Sequence, residues 1–381
     1  MKTKFLNTLK IYFAFVLFLI VISLLAYKLL PFRPQFPYYD AILANLSSVQ
    51  LIWHWANFDG VHYITIADKG YIGTGLIQAY FPLYPLLVGW INKIIGNPLY
   101  SGLLFSNISF LLALYFFQKL LKVEKIKDKK WPILFLLLFP TSFYFIGLYS
   151  ESLFLLLTIL SFLSMRQKKW FQASVFASLA SATRLVGIFI APALILEYNQ
   201  SLTKLRKKNK LVKLKQLLLF IISIGGFLLY CWYLNKNFGD PFFFARVQSK
   251  FGASRQTDKI ILFHQVTWRY IKMLVTVKNN NLLYYAVAQE FFLSLGVLAV
   301  FIWGWFKKIK RSYLVYAFFS FILPTLTGNL SSMPRYVAVI FPLYLILSKI
   351  KNKKVKICLL IVSTILLIIN TALFLRGSWI A

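Results

Sequence analysis

Phe81-Pro82-Leu83-Tyr84-Pro85-Leu86-Leu87-Val88-Gly89-Trp90-Ile91-Asn92-Lys93-Ile94-Ile95 can be laid across a membrane or along its surface, and that choice sets the topology of the whole chain. Charge decides it. Basic residues cluster at 119–130, 166–169, 204–215, 307–311 and 349–356, in the gaps between apolar runs. Loops rich in Lys and Arg stay on the cytoplasmic side. All five clusters share the side of the N-terminus only if 81–95 lies along the outer interface. Counting that segment as a span would strand 119–130 outside.

The rest of the chain supports a membrane reading. Its 381 residues are 59% apolar and 18% aromatic, beyond what a soluble domain usually carries. Apolar runs lie near 10–30, 98–120, 131–147, 150–166, 170–183, 186–199, 212–234, 284–306, 312–326, 336–348 and 355–375. Several are short, and Pro140, Pro192, Pro324 and Pro342 suggest kinked or paired helices. The expectation is an all-α polytopic membrane protein of about eleven transmembrane helices, N-terminus inside, C-terminus outside. It forms one integral membrane domain over 1–381, with juxtamembrane helices in the first outer loop. Lys2, Lys4 and Lys10 before the apolar run 11–26 resemble a signal sequence, but no small-residue cleavage site follows, so the run reads as an uncleaved first helix.

Forty-three Lys and Arg against ten Asp and Glu give a net charge of +33. No basic domain remains once the spans are removed, so nucleic acid is excluded as a partner and anionic lipid headgroups are the expected counterpart. Cys231 and Cys358 each sit inside an apolar run, which speaks for packing rather than disulfides or metal knuckles. No cofactor signature is present.

The topology leaves two long outer loops, about 31–97 and 235–283, and two short outer turns near 148–152 and 327–336. In the first loop, Trp53-His54-Trp55-Ala56-Asn57-Phe58-Asp59-Gly60-Val61-His62-Tyr63 concentrates a scarce acid among rings and imidazoles. If a helix begins there, Asp59, His62 and Tyr63 share one face at i, i+3 and i+4. Asp59 can serve as a general base toward an attacking hydroxyl, or as a helix N-cap. His54, His62 and His264 lack metal-ligand spacing and suit packing or sugar contact. Glu151, Arg184 and Arg335 fall at or near the outer leaflet, where an ionised side chain needs a partner or a water-filled cavity. Glu151 opens a span, where the helix dipole favours it, or else pairs with Arg184 or a sugar hydroxyl. The planar forks of Arg184 and Arg335 suit a lipid phosphate, or else snorkel to headgroups. The mixed aromatic and basic residues of the second loop suit sugar stacking and the interface belt equally.

Several blocks together resemble the GPI mannosyltransferase 2 (PIG-V-type) family and its bacterial homologues, within the GT-C glycosyltransferases. They are Phe58-Asp59-Gly60-Val61-His62-Tyr63, Ile66-Ala67-Asp68-Lys69-Gly70-Tyr71 and Tyr80-Phe81-Pro82-Leu83-Tyr84-Pro85-Leu86-Leu87. Tyr149-Ser150-Glu151-Ser152-Leu153-Phe154, Ala182-Thr183-Arg184-Leu185-Val186-Gly187 and Pro334-Arg335-Tyr336 through Phe341-Pro342 follow in the family's order. Phe58 stands where the family usually has Trp.

The resemblance implies a GT-C-like fold and a membrane enzyme that moves a hexose, mannose by preference, from a polyprenyl-phosphate-linked donor to an acceptor hydroxyl outside the cell membrane. It further implies inversion without a metal, Asp59 as base, and Arg184 and Arg335 on the leaving phosphate. His62, Tyr63, Glu151 and Tyr336 are the remaining expected substrate contacts. The acceptor, a lipid, glycan or protein, is left open. The competing expectation is a transporter or flippase of anionic lipid-linked sugars, disfavoured by the lack of internal repeats and by polar residues gathered at one face.

Overall fold

A computed structural model describes residues 2–202, 209–248, 255–256, 259–277 and 282–380. Parts of the basic cluster 204–215 and of the second outer loop lie outside these residues. The described residues contain helices and no strand. The helices used below are α1 (Lys2–Leu29), α2 (Asp59–Lys69), α3 (Leu83–Ile95), α4 (Pro98–Val123), α5 (Glu151–Arg166), α6 (Trp170–Thr183), α7 (Ile190–Ser201) and α8 (Lys210–Ser223). They continue as α9 (Gly225–Phe238), α10 (Phe263–Thr276), α11 (Leu282–Phe306), α12 (Arg311–Thr325), α13 (Met333–Ala338), α14 (Pro342–Ser348) and α15 (Lys353–Leu375).

Among the described residues, four helices are long and apolar enough to cross a bilayer: Phe5–Leu29 within α1, then α4, α11 and α15. The pair α8 and α9, bent by 56° at Ile224, makes a fifth candidate if counted as one broken span. The chain is therefore an all-helical, multi-pass membrane protein. Length and composition do not by themselves supply the expected count of about eleven spans. The other apolar runs are shorter helices because the sequence interrupts them. Residues 131–147 break at Pro140 into Lys130–Leu137 and a 3-10 turn, Ser142–Phe145, and 336–348 breaks before Pro342. Helix α3 has 13 residues, about 20 Å of rise, short of the roughly 30 Å that a straight span requires.

The chain divides into two compact units, Met1–Leu156 with Ile350–Ala381, and Leu157–Lys349. In the first, α1 packs on α15 and α4, while α2 packs on α3, and α3 on α4. Asn97 starts α4 with its side chain accepting from the amides of Leu99 and Tyr100, and Pro98 takes the first helical position. The core is aromatic, with Tyr84, Phe110, Phe143, Tyr144, Phe145, Tyr149 and Phe154 all fully buried.

In the second unit α6 packs on both α8 and α9. Breaking a helix strands backbone amides, and α6 takes them: Ser178 Oγ accepts from Gly226 N (2.9 Å) and Ser181 Oγ from Phe227 N (3.1 Å). The contact is too tight for a side chain, since a Cβ on Gly226 would stand 2.1 Å from the Ser178 carbonyl oxygen. Elsewhere in this unit Arg166 forms an ion pair with Glu197, which also accepts from Ser312 Oγ at 2.7 Å.

Gly226→Ala is expected to lower stability by about 1–3 kcal/mol, the usual cost of overpacking. The drop should be read as a lower melting temperature in detergent. Gly296→Ala on α11, where a Cβ meets nothing within 4 Å, should leave melting unchanged or slightly raised. Equal melting of the Gly226 variant and the parent would refute the close approach.

Candidate active site

The first unit builds a site around the start of α2. Its N-cap position is taken by Phe58, not by Asp59, so the capping alternative for Asp59 gives way to a place inside the first turn. Phe58 adopts φ 59° and ψ −112°, a conformation that costs a bulky L-residue on the order of 1–3 kcal/mol and persists only where surroundings enforce it. Its ring is enclosed by Phe36 (4.6 Å between centroids), Trp379 (5.0 Å) and Phe374 (5.7 Å).

Asp59 is half-buried, and its Oδ1 accepts from the Tyr80 hydroxyl at 2.9 Å. His62 stacks on Tyr80, with centroids 5.1 Å apart and planes at 25°. Tyr63 meets the same ring edge-on at 5.2 Å. The expected i, i+3, i+4 face is thus assembled on one residue, Tyr80. The sequence quoted Tyr80 only within a longer block; nothing in its 21-residue separation from Asp59 marks it as a partner. Tyr80 is itself held, since its carbonyl accepts from the Tyr71 hydroxyl (2.6 Å) while the Tyr71 carbonyl accepts from Gln78 Nε2 (3.1 Å).

Behind this face lies a run of tyrosines. The hydroxyls of Tyr63 and Ser150 are 2.9 Å apart, and those of Tyr84 and Ser106 are 2.8 Å apart. The Tyr149 hydroxyl donates to the carbonyl of Asn57, two residues before Asp59. Glu151, next to Ser150, is fully buried and lies close enough to Tyr84 to interact with it electrostatically.

Burial governs the histidines. It lowers the His62 pKa, with the Asp59 carboxylate pulling the other way, so the ring beside the carboxylate stays neutral near pH 7. His54 is stacked on Phe32 at 4.8 Å, and burial reinforced by the Arg376 charge lowers its pKa to about 3. Among the described residues no three His, Cys, Asp or Glu side chains gather closely enough to hold a metal ion.

The second unit brings together other expected residues. Arg184 leaves the end of α6 in extended conformation, and its guanidinium lies over the Tyr336 ring at 5.3 Å. The Tyr336 hydroxyl accepts from Arg255 Nη2 at 3.4 Å. Arg335 is buried within α13. The turn before α13 is clamped by α10 and α11: Glu290 Oε2 accepts from the Tyr270 hydroxyl (2.7 Å) and Oε1 from Ser332 N (3.2 Å). Leu330 N donates back to the Tyr270 hydroxyl (3.0 Å), and Arg269 Nη1 to the Gly328 carbonyl (3.1 Å). Sequence reading passed over Glu290, although an acid inside an apolar span is itself a signal. Arg255 and Tyr270, in a loop of mixed aromatics and cations, carried no comparable mark.

Native His54 resists protonation down to about pH 3, whereas an unfolded histidine takes a proton near 6.5. Between those values the unfolded chain binds more protons, so stability should fall as pH drops below about 6.5. His54→Phe preserves the stack on Phe32 and should flatten this acid dependence of melting while changing little at pH 8. An unaltered slope in that variant would show that other groups set the acid limit.

Comparison with known proteins adds a family to this geometry. A family model described as Mannosyltransferase (PIG-V) matches residues 15–301, well over half the chain. The match contains Asp59, Glu151 and Arg184 and ends before Arg335 and Tyr336. No curated protein and no solved structure matches. A multi-pass helical chain carrying a ring-flanked carboxylate within that match belongs to the mannosyltransferase (PIG-V) family, and it is a membrane glycosyltransferase.

Proposed function

We propose that this enzyme transfers mannose from a polyprenyl-phosphate-linked donor to an acceptor hydroxyl, with inversion, on the extracytoplasmic face of the cell membrane. The N-terminus is then cytoplasmic, as the basic clusters require. The observation that carries the reading is the half-buried Asp59 carboxylate bound by Tyr80 and flanked by His62 and Tyr63.

The Tyr80 hydroxyl favours the ionised carboxylate by donating to it and fixes its orientation. The acceptor hydroxyl gives its proton to Asp59 as its oxygen bonds to the anomeric carbon. The bond from that carbon to the phosphate oxygen breaks, and polyprenyl phosphate leaves with the electron pair. Neutral His62 and the ring of Tyr63 provide surfaces and hydrogen-bonding groups for sugar. Phosphate is a good leaving group, so positioning and charge stabilisation supply most of what the protein must contribute. Arg184, with Arg335 and Tyr336, is assigned to the donor phosphate, since a guanidinium offers it two parallel charge-assisted hydrogen bonds. Glu151, next to Ser150 and near Tyr84, is assigned to the sugar.

With labelled polyprenyl-phosphate-mannose and a membrane lipid extract, Asp59→Asn should lower mannosyl transfer by about 100-fold or more while donor lipid is still retained. Tyr80→Phe should reduce kcat by roughly tenfold with little change in KM. Full activity of the Asp59 variant would end the base assignment. Movement of the donor across proteoliposomes with no glycosidic product would favour transport instead.

A further inference from the structure

The segment following α15 returns to the loop that carries Asp59. Arg33 N donates to the Arg376 carbonyl (2.9 Å) and Gln35 N to the Gly377 carbonyl (2.8 Å). Trp379 N donates to Gln35 Oε1 (2.8 Å), and Arg376 Nε to the Leu30 carbonyl (2.8 Å). The Tyr144 hydroxyl donates to the Ile380 carbonyl at 2.8 Å. Gly377 has φ +88°, and a Cβ there would stand 2.6 Å from Pro34 Cα, so the two segments lie in direct backbone contact.

The end of α15 and this segment together reach the two residues before Asp59. Asn57 is fully buried, and its Nδ2 donates to the carbonyls of Phe374 (2.9 Å) and Leu375 (3.4 Å), at the end of α15. Trp379 meets the Phe58 ring edge-on at 5.0 Å. Phe58 is the residue whose backbone is held at positive φ, and its dihedrals set the direction in which Asp59 leaves the loop. No side-chain cap steadies this helix start. Contacts on Asn57 and Phe58 are therefore what hold the kink.

We propose that the end of α15 and residues 376–380 together form a strap that positions the Asp59 carboxylate, with Trp379 and Asn57 as its positioning residues. The proposal rests on the reading of Asp59 as the base. The strap lies beyond the 15–301 family match. Geometry of this kind bears on rate more than on binding: a misplacement near 1 Å can cost about 100-fold in turnover.

The test uses the full-length purified protein with polyprenyl-phosphate-mannose and a membrane lipid extract. Trp379 is only half-buried, so Trp379→Ala should fold, and its kcat should fall by roughly 10- to 100-fold with KM for the donor within about twofold. Trp379→Phe keeps an edge for the Phe58 ring and should recover most of the rate. Asn57→Asp, which turns a carboxylate toward two carbonyl oxygens, should lose as much or more. Amide hydrogen exchange over 57–62 should rise by about tenfold in Trp379→Ala while the rest of α2 and α15 is unchanged. Wild-type kcat in both Trp379→Ala and Asn57→Asp, or unchanged exchange over 57–62, overturns the strap. Asp59→Asn is measured beside them: if it stays active, the base assignment fails, and the exchange result alone then judges the strap. Should Asn57→Asp not fold, the Trp379 pair decides.

Discussion

A backbone amide or carbonyl left without a partner in hydrocarbon costs several kcal/mol, so a membrane protein can break a helix only where another group takes the freed bonds. That constraint recurs through this chain. Ser178 and Ser181 accept the amides exposed where α8 gives way to α9. In the first unit, Ser363 donates to the Leu138 carbonyl and Asn370 to that of Pro140, where the apolar run 131–147 breaks. Asn107 donates to the Ile146 carbonyl in the turn that follows. Each of these side chains is a short polar residue in a span or beside one. The short helices that the breaks create depend on them.

The same constraint prepares a place for chemistry. Irregular backbone at residues 54–58 and 138–150 is supported by Asn57, Tyr144 and Tyr149, whose polar ends reach carbonyls while their bodies fill the core. Tyrosine suits this double duty, and the first unit uses it repeatedly around Asp59. A carboxylate placed there receives an oriented hydrogen bond from Tyr80 and faces a ring surface, with burial keeping His62 neutral beside it. An acid, a neutral imidazole and aromatic faces are the groups assigned above to the sugar, which is polar at its rim and apolar on its faces.

In the second unit, Glu290 carries out a related task. Its two oxygens accept from Tyr270 and from the amide of Ser332, fixing the turn that leads into α13 with Arg335 and Tyr336. Removing one partner of such a network would leave the others buried and unsatisfied, so its parts depend on one another. A buried acid here orders backbone, whereas Asp59 stays half-exposed.

The amino-acid sequence by itself determined the membrane class, the helical periodicity and the shared face of Asp59, His62 and Tyr63. Hydropathy, charge clusters and i, i+3, i+4 spacing are local properties that need no partner to be read. It also carried the ordered blocks that resemble the family. Tertiary structure alone decided that Tyr80 is the ring on which that face assembles, that Glu290 clamps a distant turn, and that the end of α15 and Trp379 close on Asn57 and Phe58. These are contacts across 21, 42 and more than 300 positions, and side-chain type carries no record of which distant carbonyl or ring it will meet. The lengths of the broken helices belong to the same class. A proline marks where a helix ends, but only packing supplies the side chains that make the end tolerable in a membrane.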